Sequence, residues 1–155
     1  MGYRPLVDVE QARALFDYAA TPWPQDVALA WGAWIAGDSG ERLVGAVVGE
    51  RPGRAAMLYG PVVAFEELSR REQPPGDPLE IAGQLVAAAI DHAVALGAVT
   101  LYTRPQGLDR VWVRFGFIPV PEVALPPALT GRPGVGLYAW RGGSALWTLR
   151  EAAQA

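Results

Sequence analysis

Few side chains in this 155-residue chain can do nucleophilic, redox or metal chemistry, and the absences are as informative as the residues present. There is no cysteine and one histidine, His92. Thiolate nucleophiles, disulfides, Cys-ligated zinc and iron-sulfur clusters are excluded, and no metal site is expected. All 13 basic residues are arginines, so neither a Schiff-base lysine nor a phosphate-loop lysine exists. Ser39, Ser69 and Ser144 lack the strand-to-helix elbow of a serine hydrolase. Asp91 and His92 adjoin on a predicted helix and so point in different directions, which makes His92 a helix-edge residue rather than half of a dyad. Gly131 to Gly136 is glycine-rich but has no strand-turn-helix context, and reads as turns.

The elements that would position any site follow from periodicity and punctuation. Tyr3 to Val9 reads as a strand and Glu10 to Ala20 as a helix stopped by Thr21-Pro22. Val27 to Ala36 and Leu43 to Gly49 form a predicted hairpin around Gly37 to Gly40. Ala55 to Phe65 is a third strand, and Gly60-Pro61 within it predicts a bulge or bend, because proline cannot donate to a sheet ladder. A charged, proline-rich surface loop runs from Glu66 to Pro78. Asp77 as N-cap, Pro78 at the first position and Glu80 after it then open the clearest helix, with Leu79, Ala82, Leu85, Val86, Ala89, Ala93 and Leu96 on one face. Beyond it come a strand over Ala98 to Thr103, a short helix over Gln106 to Arg114, strands over Phe117 to Val120 and Gly134 to Arg141, and a terminal helix capped by Ser144. The fold class is α/β, or α+β: a mixed sheet with flanking helices in a single domain over 1–155.

Composition sets the setting. With 51% hydrophobic residues the chain has a core, and no apolar run reaches the roughly 18 residues of a membrane span. A cytoplasmic location is expected from the unmarked start MGYRPLVDVEQ. A net charge of -3 with scattered arginines argues against a nucleic-acid surface. Missing Asn and Cys with abundant proline suits a heat-adapted organism, and GC-biased coding produces the same pattern. Trp31 and Trp34 fall on opposite faces of their strand, so one of them is a candidate for a cleft or interface. Exposed tryptophans and the Pro121 to Pro133 segment together offer a surface for a homodimer.

The helix segment Leu85-Val86-Ala87-Ala88-Ala89-Ile90-Asp91-His92-Ala93, the strand Leu101-Tyr102-Thr103 and the ending Arg114-Phe115-Gly116-Phe117, in that order, resemble the second half of the GNAT superfamily of acyl-CoA-dependent N-acetyltransferases. The succession of elements over nearly the whole chain is similar too. The resemblance implies a bent central sheet and an acetyl-CoA or other acyl-CoA cofactor. Backbone at Val62 and Val63 would hold the cofactor's amide-bearing arm and the helix start at Ile81, Ala82 and Gly83 its phosphates. It implies Glu66 as the base for a small-molecule or peptide amine, with Tyr102 as a substitute acid, and Trp31, Tyr59 and Arg104 contacting substrate. Tyr138 lies in a third strand near the implied cleft. Glu67, Arg70 and Arg71 give Glu66 a competing reading as part of a solvated ion-pair pattern.

Two positions depart from the family pattern. Asp77-Pro78-Leu79-Glu80-Ile81-Ala82 stands where the phosphate loop is expected and matches it only at Ala82. Asp77 and Glu80 place negative charge there, and Pro78 lacks an N–H. Trp112 occupies the position of the usual tyrosine acid, and an indole has no useful acidity at neutral pH. The alternative implied by these departures is a non-catalytic ligand-binding or interaction module on the same scaffold.

Overall fold

Alternation along two central strands decides the architecture. In the computed structural model, which describes residues 1–37, 40–64 and 77–141, Val47, Ala56 and Leu58 face one side of the sheet, while Ala46, Val48, Met57 and Tyr59 face the other. Both sides are buried, so helices or loops must cover each. The sheet has seven strands: β1 (Gly2–Pro5), β2 (Leu29–Gly37), β3 (Gly40–Glu50), β4 (Ala55–Val63), β5 (Thr100–Thr103), β6 (Ile118–Val120) and β7 (Leu137–Arg141). Their order is β1-β2-β3-β4-β5-β7-β6, with only the β4–β5 pair parallel.

Helix α1 (Glu10–Tyr18) buries Ala12 and Phe16 against one face. Helix α2 (Pro78–Ala95) lays Ile81, Ala82, Leu85, Val86, Ala89 and Ala93 on the other. Its start is as the sequence predicts: the Asp77 carboxylate accepts the Leu79 N–H at 2.9 Å, and Pro78 follows the cap. A short α3 (Asp109–Arg114) turns the fully buried Trp112 into the same core, edge-on to Phe117. Two single 3₁₀ turns, Glu122–Ala124 and Pro127–Leu129, organise the proline-rich segment and bury Leu129 beneath the α1 face.

The first strand is shorter than expected. It ends at Pro5, because Asp8 turns to accept the Glu10 N–H and belongs to the helix entry. The bend at Gly60-Pro61 is present as a bulge: Val48 pairs with Tyr59 and Ala46 with Val62, so both Gly60 and Pro61 oppose Val47. Gly60 is required there, since its φ is +92° and a Cβ would lie 3.0 Å from the Phe16 ring and 3.2 Å from the Ala46 carbonyl. The extra residue inverts the alternation, which puts Val62 on the same face as Tyr59.

Trp31 and Trp34 do take opposite faces, Trp31 packing on the α2 side and Trp34 receiving the Arg4 guanidinium. None of the five tryptophans among the described residues is exposed; each is half-buried or buried. Exposed tryptophan therefore gives no support to a dimer surface, and Trp147 and the Ser144 helix lie outside the described residues. No helix among the described residues is long and apolar enough to cross a membrane.

Candidate functional site

β5 is too short to accompany β4. The two strands pair only from Ala55–Thr100 to Leu58–Thr103, after which the chain leaves at Arg104-Pro105. The Thr103 hydroxyl closes the last rung by donating to the Leu58 carbonyl at 3.0 Å. From Tyr59 to Val63 that edge of β4 has no strand partner among the described residues, whereas its other edge stays paired with β3. A cavity of about 750 Å³ opens along the unpaired edge. The end of α1 and Thr21-Pro22 wall one side, Pro78 and Ala82 of α2 another, and Arg104 to Leu108 with Arg132-Pro133 a third.

A polar network stands at the Tyr59 end. Glu50, the last residue of β3, shares a face with Ala46 and Val48, and its side chain is only 4% exposed. The Arg132 guanidinium clamps its carboxylate through Nε at 2.9 Å and Nη2 at 3.1 Å, and the Tyr59 hydroxyl donates to the same group. Burial, then the hydrogen bond to Glu50, pushes the Tyr59 phenol far above its ordinary range, so it acts as a neutral hydroxyl. Beside it Arg104 donates to both oxygens of Glu122, at 2.6 and 2.7 Å. That pairing holds the Glu122 carboxyl below the usual range.

The structure gathers Tyr59, Val62, Val63, Ala82 and Arg104 onto this cavity. It does not bring the other expected residues there. Tyr102 is buried under the 3₁₀ turns and donates to the Ala124 carbonyl at 3.0 Å, so its phenol has no path to the cleft. Trp31 lines a separate, shallower pocket between β1 and α2, where its indole donates to His92 Nδ1 at 2.9 Å. Ile81 packs into the core against the space beside Gly45, and Gly83 is buried without lining the cavity. Tyr138 donates to Asp109, away from the cavity lining. Glu66 lies outside the described residues, as do Glu67, Arg70 and Arg71.

Both departures from the expected motif have a structural outcome. Glu80 is exposed and near Tyr3, whose phenol is raised first by burial and then by that carboxylate; Glu80 does not line the cavity. Trp112 does not plug the cleft, because the core holds it. What does change is the helix start: Pro78 has no N–H and the Leu79 N–H is taken by Asp77, which leaves a depleted anion cradle. Glu50 and Arg132 were not singled out from the sequence. The signal for Glu50 was its i, i+2, i+4 spacing with Ala46 and Val48, ending an apolar strand in an acid. Among the described residues no cluster of His, Cys, Asp and Glu could hold a metal ion.

The seven-stranded mixed sheet with its flanking helices has the fold of solved GNAT-family acetyltransferases. Solved structures match it at low sequence identity. An acetyltransferase from Streptococcus agalactiae matches with TM-score 0.63 and 13% identity, over 90% of this chain and 97% of that one. A GNAT-family N-acetyltransferase from Escherichia coli, in complex with CoA, matches with TM-score 0.54 and 17% identity over 90% and 80%. N-acetylglutamate synthase from Neisseria gonorrhoeae, complexed with coenzyme A and N-acetyl-glutamate, matches with TM-score 0.61 and 16% identity; 90% of this chain covers 34% of that longer one. No protein-family model and no curated protein matches the sequence.

Proposed function

We propose that the chain is an acyl-CoA-dependent N-acyltransferase whose proton-handling group is the Tyr59–Glu50 pair. The observation that carries the reading is the free edge of β4 at Tyr59 to Val63, running along a cavity that ends on this buried network. Backbone groups on that edge suit an extended, amide-bearing ligand, because they are already aligned as half of a sheet ladder. Bound there, an acyl-CoA would supply an activated thioester. Val62, Val63 and Ala82 would line its arm, and the depleted helix start would hold its phosphates weakly.

Tyr59 faces the cavity, and Glu50 stands behind it. A phenol held neutral and already donating to a carboxylate can take a proton from an amine while passing its own inward. Arg132 fixes the carboxylate so that it keeps facing the phenol. The same arrangement makes Tyr59 a relay and not an acid, since its raised pKa opposes formation of phenolate.

The test is release of thiol from acetyl-CoA across a panel of small amines and peptides. The chain has no cysteine, so a thiol reagent reads product without a protein background. Turnover is expected, with a fall of about 100-fold in Tyr59→Phe, the scale of general acid–base catalysis. The second reading, a ligand-binding module, is favoured by the capped helix start and by Trp112 in the acid's place. Saturable coenzyme binding with no turnover on any amine would select it.

A further inference from the structure

The two guanidinium groups on the cavity are used differently. Arg132 is fully engaged: Nε and Nη2 hold Glu50, and Nη1 donates to the Thr130 carbonyl at 3.1 Å. Arg104 is not. Its Nη1 and Nη2 pair with Glu122, while Nε is shut off from solvent with no hydrogen-bond partner. The burial of this pair is lopsided, with the Arg104 side chain 9% exposed and the Glu122 side chain 63% exposed.

A guanidinium this far from water needs a counter-charge and partners for its N–H groups. Here the counter-charge is a solvated carboxylate on a single 3₁₀ turn, and one N–H is left over. The arginine stem is fixed. Gly134, at φ +123°, passes so close that a Cβ would sit 2.8 Å from Arg104 Cδ and 3.1 Å from its Cβ. Arg104 therefore stays on the cavity wall, while Glu122, exposed and outside the cavity lining, can give way to water or to another carboxylate.

We infer that Arg104 anchors a carboxylate of the acyl acceptor, and that Glu122 holds its place when no acceptor is bound. The acceptor class is then an amine carrying a carboxylate on an otherwise apolar frame, such as an α-amino acid with an apolar side chain. Leu15, Ala19, Pro22 and Met57 supply the apolar wall, and Tyr59 lines the same cavity as Arg104. The word acceptor rests on the acyl-transfer reading; the carboxylate anchor does not.

L-Phenylalanine and 2-phenylethylamine differ by one carboxylate and make the probe pair. Both are titrated calorimetrically into the wild-type chain, Arg104→Gln and Glu122→Ala, with and without coenzyme A, and both are offered as acceptors in the thiol-release assay. Phenylalanine is expected to bind the wild type at least about tenfold more tightly than its partner, and Arg104→Gln to abolish that difference, as for a lost hydrogen bond to a charged group. Glu122→Ala is expected to tighten phenylalanine about two- to fivefold, the scale of an exposed ion pair removed as competitor. If Arg104→Gln does not fold, Glu122→Ala decides alone, because a merely structural pair predicts no gain in affinity. Equal binding of the two probes, binding of neither, or no gain in Glu122→Ala overturns the inference. Carboxylate-dependent binding without thiol release supports the anchor and removes the acyltransferase. Release with 2-phenylethylamine as efficient as with phenylalanine removes the anchor and leaves the acyltransferase standing.

Discussion

Glu50→Gln should destabilise the chain through a charge stranded next to the cavity. In the native fold Glu50 is almost wholly buried, clamped by two Arg132 nitrogens and receiving the Tyr59 hydroxyl. Removing one partner of a buried ion pair costs about 3–5 kcal/mol, most of it the penalty of leaving the other charge unpaired. The Arg132 side chain keeps 19% of its surface in water, so part of that charge is rehydrated. We therefore expect a cost just below that range, about 2–3 kcal/mol. In a domain of this size one kcal/mol moves Tm by about 2–4 °C, which gives a fall of about 4–12 °C. The assay is urea and thermal unfolding of Glu50→Gln, Arg132→Met and the double variant. The double variant should be more stable than the sum of the two losses by about 1.5 kcal/mol or more, since each single change strands a group that the double change does not. Additivity within about 0.5 kcal/mol would refute the reasoning, because it would mean that the two groups do not depend on each other.

Three further outcomes follow from other parts of the structure. Tyr59, Tyr3 and Tyr138 are all raised above the ordinary phenol value, so tyrosinate absorbance should keep rising well past pH 10, and Tyr59→Phe should remove the last-ionising component. The sign for stability is that of a raised pKa: the Tyr59 contribution is complete below the unfolded tyrosine pKa of about 10 and is lost as pH rises toward the folded value. A titration complete near pH 10 for every tyrosine contradicts this. Gly60→Ala forces a side chain onto φ +92° against the Phe16 ring and should cost about 1–3 kcal/mol in urea unfolding; an unchanged midpoint would show that β4 is not bulged as described. Trp112→Ala empties a fully buried site and should cost about 3–5 kcal/mol, whereas Trp112→Phe, which keeps a ring against Phe117 and removes a buried indole N–H without a partner among the described residues, should cost clearly less and bind acetyl-CoA as the wild type does.

Where local chemistry decides a feature, the sequence is readable. The Asp77-Pro78 helix entry, the hairpin between β2 and β3 and the bulge at Gly60-Pro61 are specified within a few residues, and the structure has all three. Their order was enough to suggest the fold. The site was only half legible, because it depends on residues that meet across the sheet. Val62 and Val63 reach the cavity through the bulge, Tyr59 through the strand beside it and Arg104 through its place just after β5. Tyr59 and Tyr102 share a face of the sheet, and nothing near either residue reveals that the 3₁₀ turns will cover one and leave the other on the cleft. Glu50 and Arg132 lie 82 residues apart in the chain, and Arg132 stands in what reads as a glycine-rich turn. Glu80, whose charge beside Asp77 reads as obstructive in the sequence, is exposed near Tyr3 and does not line the cavity.

Whether the parted β4 edge receives an acyl-CoA is decided by calorimetric titration with acetyl-CoA of the wild type and of Pro78→Glu. Pro78 lines the cavity at the first position of α2, where an acidic residue favours the helix, so the variant should fold while placing negative charge beside the phosphates. Saturable one-to-one binding by the wild type is expected, weakened at least about tenfold in Pro78→Glu, a Coulomb penalty of ordinary size for like charges at close range. No binding by the folded wild-type protein, or equal affinity in both proteins, would contradict it.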